Sequence, residues 1–149
     1  MSGLTLTQDH VSVANRLRPV LLKLARELRR EIHSLGVTSS QVSLLIQIRN
    51  APGIGVRELA DRERMSVPGM SKYVDRLEQA GLVARTPSGT DRRRIGLTVT
   101  QAGDRVLRSV KSKRTAWLAA RLRELTPGQL EAIDSAIDPL TQLLEQVEA

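Results

Sequence analysis

The residues in this sequence whose chemistry stands out are cations. Asp91-Arg92-Arg93-Arg94 sets three guanidinium groups beside a turn-forming stretch, Pro87-Ser88-Gly89-Thr90. Upstream, a segment starting near Val67 places Met70, Val74 and Leu77 on one side at spacings of four and three. Its other side shows Pro68, Gly69, Ser71, Lys72, Arg76 and Gln79. Small groups followed by long donors suit a helix that enters the DNA major groove N-terminus first. The backbone can approach closely, and the longer side chains reach base edges and phosphates. A thin basic hairpin suits the narrow, negative minor groove, where Arg is preferred. Asp91 can hold a neighbouring guanidinium bidentately and preset its direction. Each feature also fits an ordinary solvated charged surface.

The charge distribution bears on the choice. Lys and Arg total 23 against 16 Asp and Glu, a net +7. Residues 124–149 hold six acids and no Lys or Arg, so the first 123 residues carry 23 − 10 = +13. Nineteen of the 23 cations are Arg, whose planar fork matches phosphates and guanine edges. A polyanion partner, most simply nucleic acid, follows from this distribution. On charge alone, a soluble protein with a basic bias fits equally well.

Other chemistries find no support. The chain has no Cys, which excludes disulfides, thiolate catalysis, Cys-ligated zinc and thiol redox sensing. His10 and His33 are the only histidines, and no carboxylates cluster with them for a zinc site. Gly53-Ile54-Gly55 opens like a dinucleotide fingerprint, but it follows a helical segment and lacks the third Gly. No nucleophile–base spacing suggests an enzyme, and no cofactor is expected. The apolar runs are far shorter than the roughly 20 residues of a membrane span. The first fifteen residues contain no Lys or Arg and no apolar block, so a cytoplasmic location without a secretory signal is expected.

Helical and strand periodicities supply the elements that position these groups. Leu17, Leu21, Leu24, Leu28, Ile32 and Leu35 form one stripe of a helix from about 8 to 35, ended by Gly36. Thr38 and Gln41 make a capping box for a second helix, which stops before Ala51-Pro52-Gly53. Ile54–Val56 is a stub strand, and a short helix spans about Val56 to Arg64 with Leu59 and Ala60 inward. Ser66 caps the next helix, Pro68 sits in its first turn, and Gly81 closes it. Leu82–Thr86 and Arg93–Val99 then read as the strands of a hairpin. Thr100 caps a helix of about 101–124 with Val106, Val110, Trp117, Leu118 and Leu122 on one side, and Trp117 is read as core. Thr126 and Gln129 box a last helix whose Leu130, Ile133, Ile137, Leu140 and Leu144 form a heptad-like seam. Only the long first and fifth helices match that seam in length. Self-association would bury all three.

Three short helices followed by a basic hairpin is the order of a winged helix-turn-helix. The run Asp75-Arg76-Leu77-Glu78-Gln79-Ala80-Gly81-Leu82-Val83-Ala84-Arg85, then Asp91-Arg92-Arg93, then Val99-Thr100-Gln101-Ala102-Gly103, resembles the MarR family of bacterial transcriptional regulators. Val99 stands where that family has Leu. The resemblance implies a mainly α fold with a small β-hairpin wing. It divides the chain into a helical dimerisation region, 1–36 and 101–149, and a DNA-binding lobe, 37–100. It implies a homodimer, joined through residues such as Leu17 and Leu21 and the last-helix seam, on double-stranded DNA with a pseudo-palindromic operator. Repression, relieved by a small-molecule effector, is the function expected. By position, base readers would come from Val67, Pro68, Gly69, Ser71, Lys72 and Arg76, and Arg93 would be the wing residue, held by Asp91 and flanked by Arg92 and Arg94. Thr38, Ser39 and Ser40, at a helix N-terminus, are candidate phosphate contacts. Two readings from other classes remain: a nonspecific nucleoid-type structural protein, and an enzyme acting on an anionic substrate in a basic groove.

Overall fold

A computed structural model of the chain describes residues 7–88 and 91–147, with side chains for all of these except 88, 91–93, 146 and 147. The order of elements is α1 (Gln8–Arg30), a 3-10 turn (His33–Leu35), α2 (Ser39–Asn50), α3 (Val56–Arg62), α4 (Val67–Gln79), β1 (Val83–Ser88), β2 (Asp91–Val99), α5 (Gln101–Leu122) and α6 (Pro127–Val147). This is the winged helix-turn-helix order, with one two-stranded antiparallel sheet among the described residues. The chain divides into two compact units between Lys113 and Arg114, within α5.

The core belongs to the first unit. Ile32, Leu45, Ile48, Leu59, Met70, Val74, Leu77 and Leu97 are all fully buried there. Among the described residues no polar or charged side chain is buried with them. The apolar positions of α2, α3 and α4 converge on Leu97 of β2, and the Ile54 stub joins β2 as well. Leu97 N–H donates to the Ile54 carbonyl at 2.8 Å, and Gly53 N–H donates to the Leu97 carbonyl at 2.9 Å.

The first helix is shorter than the periodicity predicts. It stops at Arg30, and Gly36 takes a left-handed conformation after the 3-10 turn. The reason is tertiary. Ile32 is fully buried whereas α1 itself buries no residue, so the chain must leave the α1 axis to deliver Ile32 to the core. Of the α1 stripe, Leu21 and Leu24 are exposed and Leu17 and Leu28 are half-buried. In α6, Leu130, Ile133, Ile137 and Leu144 are exposed and Leu140 is half-buried. Trp117 is half-buried rather than core: the buried residues of α5 are Gly103, Leu107 and Val110, all nearer its start, and what covers the Trp117 ring is the guanidinium of Arg121, 3.9 Å from its centroid. Both strands run further towards the hairpin tip than the alternation predicts.

One junction ties the hairpin to the helices on either side. After α4, Gly81 adopts a left-handed backbone and Leu82 N–H donates to the Leu77 carbonyl at 3.0 Å. Thr100 follows β2 and returns to this point. Its N–H donates to the Leu82 carbonyl at 3.0 Å, and its hydroxyl donates to the Gly81 carbonyl at 2.6 Å. The same hydroxyl accepts from Gly103 N–H at 3.1 Å, capping α5. Gly103 lies against this turn so closely that a Cβ would sit 2.6 Å from Val99 Cγ1 and even closer to the Leu82 carbonyl oxygen. Gly103→Ala is therefore expected to lower stability by about 1–3 kcal/mol, despite the better helix propensity of Ala. Urea unfolding measures this, and a variant as stable as the parent contradicts the packing described.

Candidate nucleic-acid interface

The start of α4 follows from three residues. Ser66 Oγ accepts from Gly69 N–H at 3.1 Å, satisfying one of the free N–H groups of the first turn. Pro68 occupies the same turn, where a missing N–H costs nothing. The connection from α3 is tight. Arg64 takes φ 54°, and Met65 N–H donates to the Ala60 carbonyl at 2.9 Å. Met70, Val74 and Leu77 then anchor α4 on the core, which fixes the opposite face outward.

That outward face carries the residues singled out from the sequence. Pro68, Lys72 and Arg76 are exposed, while Gly69 and Ser71 are half-buried. Val67 is half-buried and packs against the core. On α2, the capping box of Thr38 and Gln41 is complete: Gln41 N–H donates to Thr38 Oγ1 at 3.1 Å, and Thr38 N–H donates to Gln41 Oε1 at 2.9 Å. Thr38 and Ser40 are exposed and Ser39 is half-buried. The fold brings the two helices together at a cleft of about 240 Å³ lined by Thr38, Ser40, Gln41, Tyr73 and Arg76. A helix N-terminus and a guanidinium thus share one depression, an arrangement suited to an anionic group. Tyr73 also lines an adjoining cleft with Ser40, Ser43 and Met65. Sequence reasoning overlooked it, since its position on α4 falls between the apolar and polar sides.

The electrostatics of α4 depend on a residue of the wing. Arg85 on β1 reaches back to Asp75 at 2.5 Å and to Glu78 at 3.5 Å. Both carboxylates of the outer α4 surface are thereby occupied. Among the described residues neither Lys72 nor Arg76 has an ion-pair partner, so their charge is available to a partner molecule. Arg94 is exposed and lines a separate groove with Arg57, Glu58, Asp61 and Ile95. The side chains of Asp91, Arg92 and Arg93 lie outside the described residues, so the structure does not place the expected wing contact. Among the described residues there is no group of three His, Asp or Glu that could hold a metal ion, and no helix is long and apolar enough to cross a membrane.

Comparison with known proteins shows the family and the fold. The family model described as MarR family matches residues 37–95, a stretch that runs from before α2 into β2. The chain is 30% identical over 134 residues to an HTH-type transcriptional regulator of Mycobacterium bovis, covering 90% of this chain and 94% of that one. It is 32% identical over 114 residues to the HTH-type transcriptional repressor MdtR of Bacillus subtilis, covering 76% of this chain and 74% of the relative. Among solved structures it is similar to the YusO protein of Bacillus subtilis, with a TM-score of 0.73 and 28% identity over 92% of this chain and 99% of that one. The motif run, the helix-turn-helix with its basic wing and these full-length similarities lead to one conclusion: the chain belongs to the MarR family, DNA-binding transcriptional regulators built on a winged helix-turn-helix.

Proposed function

We propose that the protein acts as a homodimeric repressor that binds a pseudo-palindromic operator, each copy presenting α4 to the major groove and its hairpin to the minor groove. The observation that carries this reading is the α4 face itself. Its carboxylates are tied to Arg85, while Lys72 and Arg76 stand exposed without an acidic partner among the described residues. In this reading Ser71, Lys72 and Arg76, with the small residues Pro68 and Gly69, supply base and phosphate contacts. Thr38 and Ser40 hold a phosphate beside Arg76. Arg93, held by Asp91 and flanked by Arg92 and Arg94, enters the minor groove. The repressor activity of the relative MdtR supports repression as the outcome.

Dimerisation is part of the proposal because of what a single copy leaves uncovered. Leu130, Ile133, Ile137 and Leu144 of the α6 seam and Leu21 and Leu24 of α1 are apolar and exposed. A two-fold dimer through these helices would bury them and set two α4 helices one DNA turn apart. Residues 1–36 and 101–149 would then serve dimerisation, and 37–100 recognition. A small-molecule effector would be a reversibly bound one, since a chain without Cys has no thiol to oxidise. By linkage, an effector that weakens DNA binding must itself bind the DNA complex less tightly than the free protein.

Three outcomes follow. Arg93→Ala weakens operator binding by about 1–3 kcal/mol. Binding equal to the parent at every salt concentration overturns the wing assignment. Lys72→Ala and Arg76→Ala each lower affinity and, where the contact is to phosphate, reduce the slope of log K against log salt by about one. Unchanged slopes and affinities remove α4 from the interface. Ile137→Asp places a charge in the α6 seam and should yield a monomer by sedimentation at micromolar concentration, with tight DNA binding lost. A parent protein that sediments as a folded monomer refutes the dimer.

A further inference from the structure

The chain closes α3 and α4 with the same backbone motif. After α4, Gly81 N–H donates to the Glu78 carbonyl at 2.9 Å and Leu82 N–H donates to the Leu77 carbonyl at 3.0 Å. After α3, Arg64 N–H donates to the Asp61 carbonyl at 3.2 Å and Met65 N–H donates to the Ala60 carbonyl at 2.9 Å. This pattern puts a left-handed residue at the first position past the helix cap. Gly81 fills it with φ 77° and Arg64 with φ 54°. Glycine takes that conformation without steric cost, whereas a Cβ crowds the following carbonyl. Arg64 is the one non-glycine residue with a positive φ among the described residues. Turns between the two helices of a helix-turn-helix often contain glycine. Here a long cationic side chain is kept at the backbone's expense.

Packing does not account for it. Arg64 is exposed, and among the described residues its side chain has no ion pair, although Asp61 and Glu63 are close in sequence. The inward contact of the turn comes from Met65, half-buried against the core. Glu63 and Met65, on either side of Arg64, line the cleft that holds Ser40, Ser43 and Tyr73. Ser40 and Tyr73 also line the cleft of Thr38 and Arg76. The turn therefore borders the depression read above as a phosphate site. Arg64 also stands two residues before Ser66, the cap of α4.

We propose that Arg64 is a further DNA contact, a guanidinium outside α4 that binds a backbone phosphate and adds affinity without reading sequence. This rests on the placement of α4 in the major groove proposed above. A costly backbone conformation kept at an exposed cation without a protein partner points to function rather than folding. A phosphate supplies the partner that the protein does not. The position in the turn, off the helix face that meets base edges, favours phosphate over base.

The test compares Arg64→Gly and Arg64→Lys with the parent, all full-length. Arg64→Gly removes the charge and relaxes the turn; Arg64→Lys keeps the charge and the backbone cost. Binding is measured over a salt series on two duplexes of equal length. One comes from upstream of the protein's own coding region and the other has random sequence. Arg64→Gly should unfold at the same urea concentration as the parent or a higher one. It should bind both duplexes roughly fivefold more weakly at physiological salt, with the slope of log K against log salt lower by about one. Arg64→Lys should keep the parental slope. Parental affinity and slope in Arg64→Gly overturn the contact, and so does a loss confined to one duplex or one that leaves the slope unchanged. A less stable Arg64→Gly overturns the backbone argument on which the contact rests. Should Lys72→Ala and Arg76→Ala in the same series also bind like the parent, the placement of α4 fails and this contact with it.

Discussion

One hydroxyl joins the end of α4 to the start of α5 at the base of the hairpin. Thr100 Oγ1 donates to the carbonyl of Gly81, where α4 ends, and accepts from the N–H of Gly103, where α5 begins. Only a group that both donates and accepts can make this join. The Thr100 N–H adds a bond to the Leu82 carbonyl, so the base of the hairpin is closed between the end of α4 and the start of α5. The small volume of Gly103 lets α5 start directly against Leu82 and Val99. The direction of the wing relative to α4 follows from this closure. So does the reach of Arg85 back to Asp75 and Glu78. The Gly81, Thr100 and Gly103 positions of the motif run are thus explained by backbone chemistry, and the Asp75, Glu78 and Arg85 positions by charge.

Those ion pairs are partly exposed and contribute little stability. Their effect on the surface potential matters more. Left free, two carboxylates on α4 would oppose a polyanion at the place where Lys72 and Arg76 attract one. With Arg85 between them, the outer side of α4 acts as a cationic surface on a rigid core. Four of the six acidic residues in the chain's last stretch stand on α6, which carries no Lys or Arg, so the two signs of charge are separated along the chain.

How much of this the sequence announces depends on the range of each interaction. The capping boxes at Thr38–Gln41 and Thr126–Gln129 and the cap at Ser66 are realised as expected, because capping is settled within four residues. The inward residues of α4 and the fold class were legible from periodicity. The end of α1 was not, since burial of Ile32 overrides a helical pattern that continues past it. A capping box at Thr7 and His10 was missed because His is not a usual partner at that position. The anchoring of Asp75 by Arg85 spans ten residues and a turn, so only the hairpin register reveals it. Tyr73 escaped notice for a similar reason: its place beside Ser40 and Arg76 depends on how α2 and α4 pack.

The central claim is that this surface reads a particular DNA sequence as a two-fold dimer. Footprinting on the DNA upstream of the protein's own coding region, with excess bulk DNA as competitor at physiological salt, tests it most directly. The account predicts two protected half-sites with centres about one helical turn apart, retained against bulk DNA by a preference of at least about 10³. Continuous, unphased protection that bulk DNA removes in proportion to its concentration would contradict it and would favour a nonspecific DNA-coating protein.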